Sequence, residues 1–132
     1  MNNPEIIQLP QIKDRRGNLS FFENNQYIPF TIERTYWIYD VPGGEKSGGH
    51  AFKTTREFIV ALSGSFDVIL NNGKSESRFT LNRSYYGLYV PAMYWRCLHN
   101  FSTNSLALIT ADKSYDEDDY IRDYDTFTKY LL

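Results

Sequence analysis

His50 and Glu57 are the two residues with acid–base chemistry in the stretch from Gly44 to Gly64. An imidazole has an ordinary pKa near ~6.5, so one side chain can both remove and return a proton near neutral pH. Imidazole and carboxylate groups are also common metal ligands. His50 is therefore a candidate general base, and a core histidine hydrogen-bonded to a carbonyl group is the alternative interpretation.

The elements that must position these residues are predicted to be strands. Gly43, Gly44, Gly48 and Gly49 predict a tight turn just before His50, because glycine adopts positive φ without a steric penalty. The apolar run 58–62 behind Glu57 is rich in aromatic and β-branched residues, which is typical of a buried strand. Further strands are predicted at Ile6–Leu9, Leu19–Glu23, Arg34–Asp40, Phe66–Leu70, Arg78–Leu81, Gly87–Val90, Trp95–Asn100 and Leu106–Thr110.

Two connections and the C-terminal tail have signals of their own. Asn72-Gly73 is the strongest hairpin turn in the chain, because both residues tolerate positive φ. In the tail from Tyr115 to Leu132, acidic residues precede apolar ones at helical spacing, which predicts one or two short helical turns. The acidic cluster at positions 116–119 is expected to be solvated surface.

The spacing around His50 resembles the first cupin motif, formed by Gly44, His50, Phe52, Glu57 and Gly64. The second motif is matched more loosely, by Gly87, Pro91, Arg96 and Asn100. Phe52 and Arg96 stand where a metal-binding cupin has histidines. Phenylalanine cannot ligate, and a guanidinium has no lone pair to give. The resemblance therefore implies one cupin (jelly-roll) β-barrel domain over residues 1–132, with a short C-terminal helical segment and no metal or other cofactor.

Composition excludes several classes of function. The chain has 132 residues, 42% of them hydrophobic and 23% charged, which is ordinary for one soluble domain. A net charge of −2 provides no basic surface for nucleic acid. No apolar run reaches the ~20 residues that span a bilayer. The single cysteine, Cys97, fits a reducing environment, so a cytoplasmic location is expected.

A resemblance to a specific family extends over nearly the whole chain. It is carried by Asp14–Gly17, Arg34–Val41, Gly48–Lys53, Gly87–Pro91, Trp95–Ser102 and Ala111–Phe127. These segments resemble the nucleoside-diphosphate-sugar 3,4-ketoisomerases. The resemblance implies a metal-free cupin that forms a homodimer with exchanged N-terminal strands. It also implies conversion of dTDP-4-keto-6-deoxyglucose to a 3-keto-6-deoxyhexose, on the way to 3-amino sugars.

The resemblance also implies roles for individual residues. His50 matches the first histidine of the family's His-Ala-His motif and is the expected base, while Phe52 replaces the second histidine. Tyr36 or a water molecule would then move the protons on the sugar oxygens. Arg96 resembles the members that give gluco products and Arg16 resembles those that give galacto products, so the stereochemistry at C4 stays open.

The remaining candidates have a functional and a structural interpretation each. Arg16 and Arg34 could bind the diphosphate through their forked guanidinium groups, or could be surface residues in solvated ion pairs. Tyr36 and Trp95 could stack on the thymine or the sugar, or could fill the barrel core. Glu57 could orient His50 or pair with a cation.

Three functions are compatible with the sequence. The first is the 3,4-ketoisomerase. The second is a related epimerase or isomerase with an altered outcome, because Phe52 changes the groups available for proton transfer. The third is a cupin that binds a sugar nucleotide without catalysis. Incubation with dTDP-4-keto-6-deoxyglucose, followed by NMR of the product, distinguishes them.

Overall fold

The computed structural model describes residues 2–132, apart from the side chain of Ser47. The strands are β1 (Glu5–Gln8), β2 (Gln11–Ile12), β3 (Leu19–Ser20), β4 (Arg34–Ile38), β5 (Ser47–Phe52), β6 (Glu57–Ser63), β7 (Phe66–Asn71), β8 (Glu76–Leu81), β9 (Tyr86–Val90), β10 (Trp95–His99), β11 (Leu106–Ala111) and β12 (Tyr120–Ile121). A 3₁₀ turn (Glu117–Asp119) and the helix α1 (Tyr124–Tyr130) follow β11, as predicted for the tail.

Two five-stranded antiparallel sheets form the barrel. The first sheet has the strand order β1-β9-β6-β11-β4, and the second has the order β12-β5-β10-β7-β8. Apolar side chains from both sheets meet in one core, to which β6, β7, β9, β10 and β11 all contribute. The predicted cupin jelly-roll barrel with a short C-terminal helical segment is confirmed.

The environment of strand β6 explains why polar and apolar residues do not alternate in the run 58–62. Ile59 and Ala61 face the core between the sheets, whereas Phe58 and Val60 pack on the outer side against Ile28, Phe30 and their neighbours. Both faces of the strand are covered, so apolar residues are favoured at every position.

The glycines before His50 do not all form the predicted turn. Gly44 has a positive φ of 82°, but Gly48 and Gly49 lie within β5. A Cβ on Gly49 would come within 2.6 Å of the Trp95 indole nitrogen. Gly49 therefore allows Trp95 to pack closely on the strand, which is a different reason for glycine from the one that the sequence predicted.

Other local predictions were closer to the structure. The Asn72-Gly73 turn connects β7 to β8, with Gly73 at a φ of 90° and the Asn72 amide donating to the Ser75 carbonyl oxygen. The strand predicted at Leu19–Glu23 is only two residues long. It pairs with β2 in a two-stranded sheet that is separate from the barrel sheets.

Candidate functional site

His50 and Arg96 lie directly opposite each other on neighbouring strands. His50 is on β5 and Arg96 is on β10, and the antiparallel register pairs the two residues. Phe52, two residues after His50, projects to the same face of β5. The Nε2 atom of His50 is buried and has no hydrogen-bond partner among the described residues. An unpartnered imidazole nitrogen has a free position for a ligand group.

Glu57 links the two sheets through two strong contacts. Nη1 of Arg96 lies 2.6 Å from Oε1 of Glu57, and the Tyr36 hydroxyl donates to Oε2 at 2.6 Å. The Arg96 and Glu57 side chains are 2% and 1% exposed. Burial raises the pKa of Glu57, and the charge of Arg96 and the Tyr36 hydrogen bond oppose that rise. Of the two interpretations offered for Glu57, these contacts correspond to pairing with a cation.

Burial also acts on Tyr36. It raises the pKa of the phenol well above its usual value, and the nearby Glu57 carboxylate raises it further. Tyr36 is therefore a neutral hydroxyl at neutral pH, with its proton directed at Glu57.

His50 stands among positive charges. Burial is the largest cause that lowers the pKa of His50 to about 3, and Arg96, Arg122 and Arg34 lower it further. The expectation that both imidazole forms are accessible near neutral pH is therefore wrong for the free chain. His50 is neutral there, and a neutral imidazole can accept a proton.

Phe52 forms one wall of this cluster. It is 1% exposed, and its ring lies 4.9 Å from the centre of the Arg96 guanidinium and 4.6 Å from the Tyr120 ring. The Tyr120 ring is also 5.3 Å from the His50 ring. The position that the resemblance associates with a second histidine is thus enclosed by aromatic and cationic groups.

Arg34 completes the cluster from the first sheet. Its guanidinium lies 5.0 Å from the Tyr36 ring and 5.5 Å from the Tyr115 ring, and its Nη1 donates to the Tyr120 hydroxyl at 3.4 Å. Its Nε is buried without a partner among the residues described. Arg34 can therefore still donate to an anionic ligand.

Trp95 is not brought to the cluster. It lies next to Arg96 on β10 and so projects to the opposite face, where it packs against Tyr124 and Phe127 of α1. The prediction that Trp95 stacks on a ligand in this site is inconsistent with that position, because its indole covers the outside of the second sheet.

Arg16 is also remote from the cluster within this chain. It lies in the turn between β2 and β3, its side chain is 84% exposed, and its described contacts are with Asp14. The chain by itself gives Arg16 the surface position that was the alternative to diphosphate binding.

The sequence prediction missed the contribution of the tail. The carboxylate of Asp119, expected to be solvated, accepts hydrogen bonds from the backbone amides and hydroxyls of Thr54 and Thr55, at 2.5 to 3.0 Å. These bonds fix Tyr120 beside Phe52, with which it pairs in register. The one available signal was the run Asp119-Tyr120-Ile121 within the resemblance, which gave no contact partner.

The donor set does not favour a metal ion. Across residues 2–132, described side chains form no group of three or more His, Cys, Asp and Glu residues that could hold one. In the cluster itself, Arg96 occupies one carboxylate oxygen of Glu57, and Tyr36 occupies the other. Among the residues described, no helix is long and apolar enough to cross a membrane.

The fold and cluster together define a cupin barrel that contains one imidazole, one buried carboxylate and several arginines in one cluster. The family model described as "FdtA: WxcM-like, C-terminal" matches residues 2–131. The chain therefore belongs to the FdtA (WxcM-like, C-terminal) family.

Named relatives are sugar-nucleotide isomerases. The TDP-4-oxo-6-deoxy-alpha-D-glucose-3,4-oxoisomerase of Aneurinibacillus thermoaerophilus is 42% identical over 127 residues, which are 96% of this chain and 91% of that protein. The structure of the WlaRB TDP-quinovose 3,4-ketoisomerase from Campylobacter jejuni is 40% identical with a TM-score of 0.92, covering 98% of this chain and 99% of that one. QdtA, a sugar 3,4-ketoisomerase from Thermoanaerobacterium thermosaccharolyticum in complex with TDP, is 33% identical with a TM-score of 0.94, covering 97% and 93%.

Proposed function

We propose that this protein is a sugar 3,4-ketoisomerase that converts dTDP-4-keto-6-deoxyglucose to a dTDP-linked 3-keto-6-deoxyhexose. The observation that carries the proposal is the buried His50 Nε2, which has no partner among the described residues, inside a cluster of arginines. The relative from Aneurinibacillus thermoaerophilus, named as a 3,4-oxoisomerase of this sugar nucleotide, supports the same substrate.

His50 acts as the base in the proposed reaction. It takes the proton from C3, the electron pair of that C–H bond forms the C3–C4 double bond, and the electrons of the C4 carbonyl move to O4. O4 is then protonated, which gives the enediol with a hydroxyl group on both C3 and C4. In the second half, the hydroxyl proton at O3 is lost and its electron pair forms the C3 carbonyl. The electrons of the C3–C4 double bond take a proton from His50 at C4.

The arginines supply the electrostatic part of the proposal. Negative charge develops on the sugar oxygens when C3 is deprotonated, and fixed positive charges nearby stabilise it. Arg96 is the buried cation closest in register to His50. Arg34, with an unpartnered Nε, is proposed to bind an anionic group of the substrate. Tyr36 and Glu57 hold Arg96 in place through their hydrogen bonds.

The proposal includes a homodimer that exchanges N-terminal segments. Strands β2 and β3 form a two-stranded sheet apart from the barrel, and a hairpin of two strands is marginally stable alone. Ile12 and Leu19 on this hairpin are 56% and 54% exposed. β1 pairs with β9 of its own chain, so the segment available for exchange is the β2–β3 hairpin. In a dimer, this hairpin would bury its apolar residues and would move Arg16 towards the partner.

Two broader aspects remain part of the proposal. A 3-keto sugar is a substrate for transamination, so the product suits the synthesis of 3-amino sugars. One cysteine, Cys97, with no disulfide among the described residues, agrees with a cytoplasmic location.

One experiment tests the activity directly. The protein is incubated with dTDP-4-keto-6-deoxyglucose in deuterated water, and NMR follows deuterium at C3 and formation of the 3-keto product. The expected result is both exchange and product in the wild-type chain. His50→Asn should lose ~10²–10⁴-fold in rate, the usual contribution of a general base, while it still binds TDP. Exchange that is unchanged in His50→Asn would show that another residue is the base.

A further inference from the structure

The position of Tyr120 suggests a role in the site that depends on the tail. Its ring lies 5.3 Å from His50 and 4.6 Å from Phe52, and its hydroxyl accepts a hydrogen bond from Arg34. As an acceptor from Arg34, the hydroxyl keeps its own proton available to donate. The Tyr120 ring therefore lies in the same cluster as the unpartnered His50 Nε2.

Tyr36, the other phenol of the cluster, is already engaged. Its hydroxyl donates to Glu57 at 2.6 Å, and burial together with the nearby Glu57 carboxylate makes release of that proton unfavourable. Phe52 has no proton to transfer. Among the described side chains around His50, Tyr120 thus has a hydroxyl group that does not donate to a carboxylate.

Asp119 determines where Tyr120 lies. Its two carboxylate oxygens accept from the amides of Thr54 and Thr55 at 3.0 Å each, and from their hydroxyls at 2.8 and 2.5 Å. The backbone of the same region adds a bond from the Lys53 amide to the Asp119 carbonyl oxygen at 2.9 Å. These contacts attach the tail to the end of β5, directly beyond Phe52.

A cationic neighbour further restricts the Tyr120 ring. The Arg122 guanidinium lies 4.2 Å from the ring centroid, and Glu117 holds Arg122 through contacts of 2.6 and 2.9 Å. The Tyr120 ring therefore contacts a cation as well as the rings of His50 and Phe52.

We propose that Tyr120 carries the proton between the two sugar oxygens during isomerisation, and that Asp119 is the residue that positions it. This inference rests on the proposed ketoisomerase function. In the balanced step, removal of the C3 proton by His50 first leaves an enediolate with its negative charge on O4, and the Tyr120 hydroxyl then gives its proton to O4. The phenolate then takes the hydroxyl proton from O3, so that the enediol loses it as the C3 ketone forms. His50 separately moves the carbon-bound proton.

The test separates the two proton transfers. In Tyr120→Phe the ring contacts with His50 and Phe52 remain, but the hydroxyl is lost. Product formation should fall ~10²–10⁴-fold, the usual contribution of a positioned proton donor. Deuterium exchange at C3 should fall much less, because His50 is still present. The ratio of C3 exchange to product therefore rises in this variant.

A matched control removes a different tyrosine hydroxyl. Tyr124→Phe deletes a hydroxyl that contacts Asn71 on the outer side of the second sheet. Its rate and its ratio of exchange to product should equal those of the wild-type chain. Circular dichroism and TDP affinity, measured on every variant, verify that the fold and the binding site are intact.

Asp119→Asn tests the positioning role, and it serves as the second variant should Tyr120→Phe fail to fold. It keeps the side-chain size but removes the charge that four donors share. It should lower kcat with little change in KM, and raise the same ratio of exchange to product. The double variant Asp119→Asn/Tyr120→Phe should be no slower than Tyr120→Phe alone, since a positioning residue has no effect once its target hydroxyl is absent.

The other outcomes overturn the inference. A Tyr120→Phe enzyme with wild-type product formation would exclude the hydroxyl from the reaction. Equal losses of exchange and product would mean that Tyr120 only shapes the site around His50. Additive losses in the double variant would refute the role of Asp119. A wild-type chain with neither exchange nor product would instead disprove the proposed function, and this inference with it.

Discussion

The buried ion pair between Glu57 and Arg96 gives the sharpest stability prediction. Glu57→Gln keeps the shape of the side chain and an acceptor for Tyr36, but leaves the Arg96 guanidinium without a counter-charge in a site that is 1–2% exposed. Removing one partner of a buried pair costs ~3–5 kcal/mol of unfolding free energy. With an m-value of roughly 2 kcal/mol per M of urea, the unfolding midpoint should fall by about 2 M.

The chain offers a matched control for this change. Glu117 and Arg122 form an ion pair with the same shortest distance, 2.6 Å, but their side chains are 54% and 55% exposed. Water and salt screen such a pair, so Glu117→Gln should leave the midpoint close to that of the wild-type chain. The two substitutions are chemically identical, and they differ mainly in burial.

A double variant tests the reason for the loss. Burial raises the pKa of Glu57 despite its two donors, so the desolvation of the pair is large. Glu57→Gln/Arg96→Met removes both charges and should recover most of the lost stability, because well-packed neutral side chains often replace buried pairs without cost. Urea unfolding, followed by circular dichroism at one fixed protein concentration, measures all four chains. Equal midpoint shifts for Glu57→Gln and Glu117→Gln, or no recovery in the double variant, would refute this reasoning.

Three further predictions concern protonation, metal content and Phe52. In the unfolded chain His50 takes up a proton below about pH 6.5, whereas in the folded chain it does so only near pH 3. Between these values the free energy of unfolding therefore decreases as the pH falls, by ~1.4 kcal/mol per pH unit. His50→Asn should reduce that slope in urea unfolding series, and an unchanged slope would contradict the shift. The purified chain should contain no stoichiometric transition metal, because Phe52 and Arg96 stand where a metal-binding cupin has histidine ligands. Elemental analysis that finds such a metal, together with loss of activity when the metal is removed, would overturn this expectation. Phe52→His should lower the free energy of unfolding by ~1–3 kcal/mol and should also lower turnover, because a buried polar ring would lie beside the Arg96 cation. Higher turnover in the substrate assay would show that the aromatic wall limits proton transfer.

Alternation along the strands decides which of the predicted residues meet in the site. Arg34 and Tyr36 are two positions apart on β4 and share one face, where both reach the cluster. The same rule separates Trp95 from Arg96, since adjacent strand residues face opposite sides. The two side chains therefore cannot share one site, and the structure places Trp95 against α1.

The contribution of the tail could not be predicted in the same way. Strand β12 has only two residues, which is too short for a periodic pattern. Its register is determined by the bonds between Asp119 and the two threonines after β5, more than 60 positions earlier in the chain. Nothing local in the sequence pairs these residues. The pKa of His50 was unpredictable for the same reason, because it depends on burial by the fold and on three arginines from different segments.

The low pKa of His50 has a consequence for when the site becomes reactive. A base with a pKa of about 3 is weak, and the causes of that value are burial and the charges of Arg96, Arg122 and Arg34. A bound diphosphate brings negative charge towards these arginines and offsets their effect on the imidazole. The enediolate then adds a second negative charge next to the protonated His50. We therefore expect the basicity of His50 to rise when the sugar nucleotide binds, so that proton abstraction is favoured in the complex rather than in the free chain.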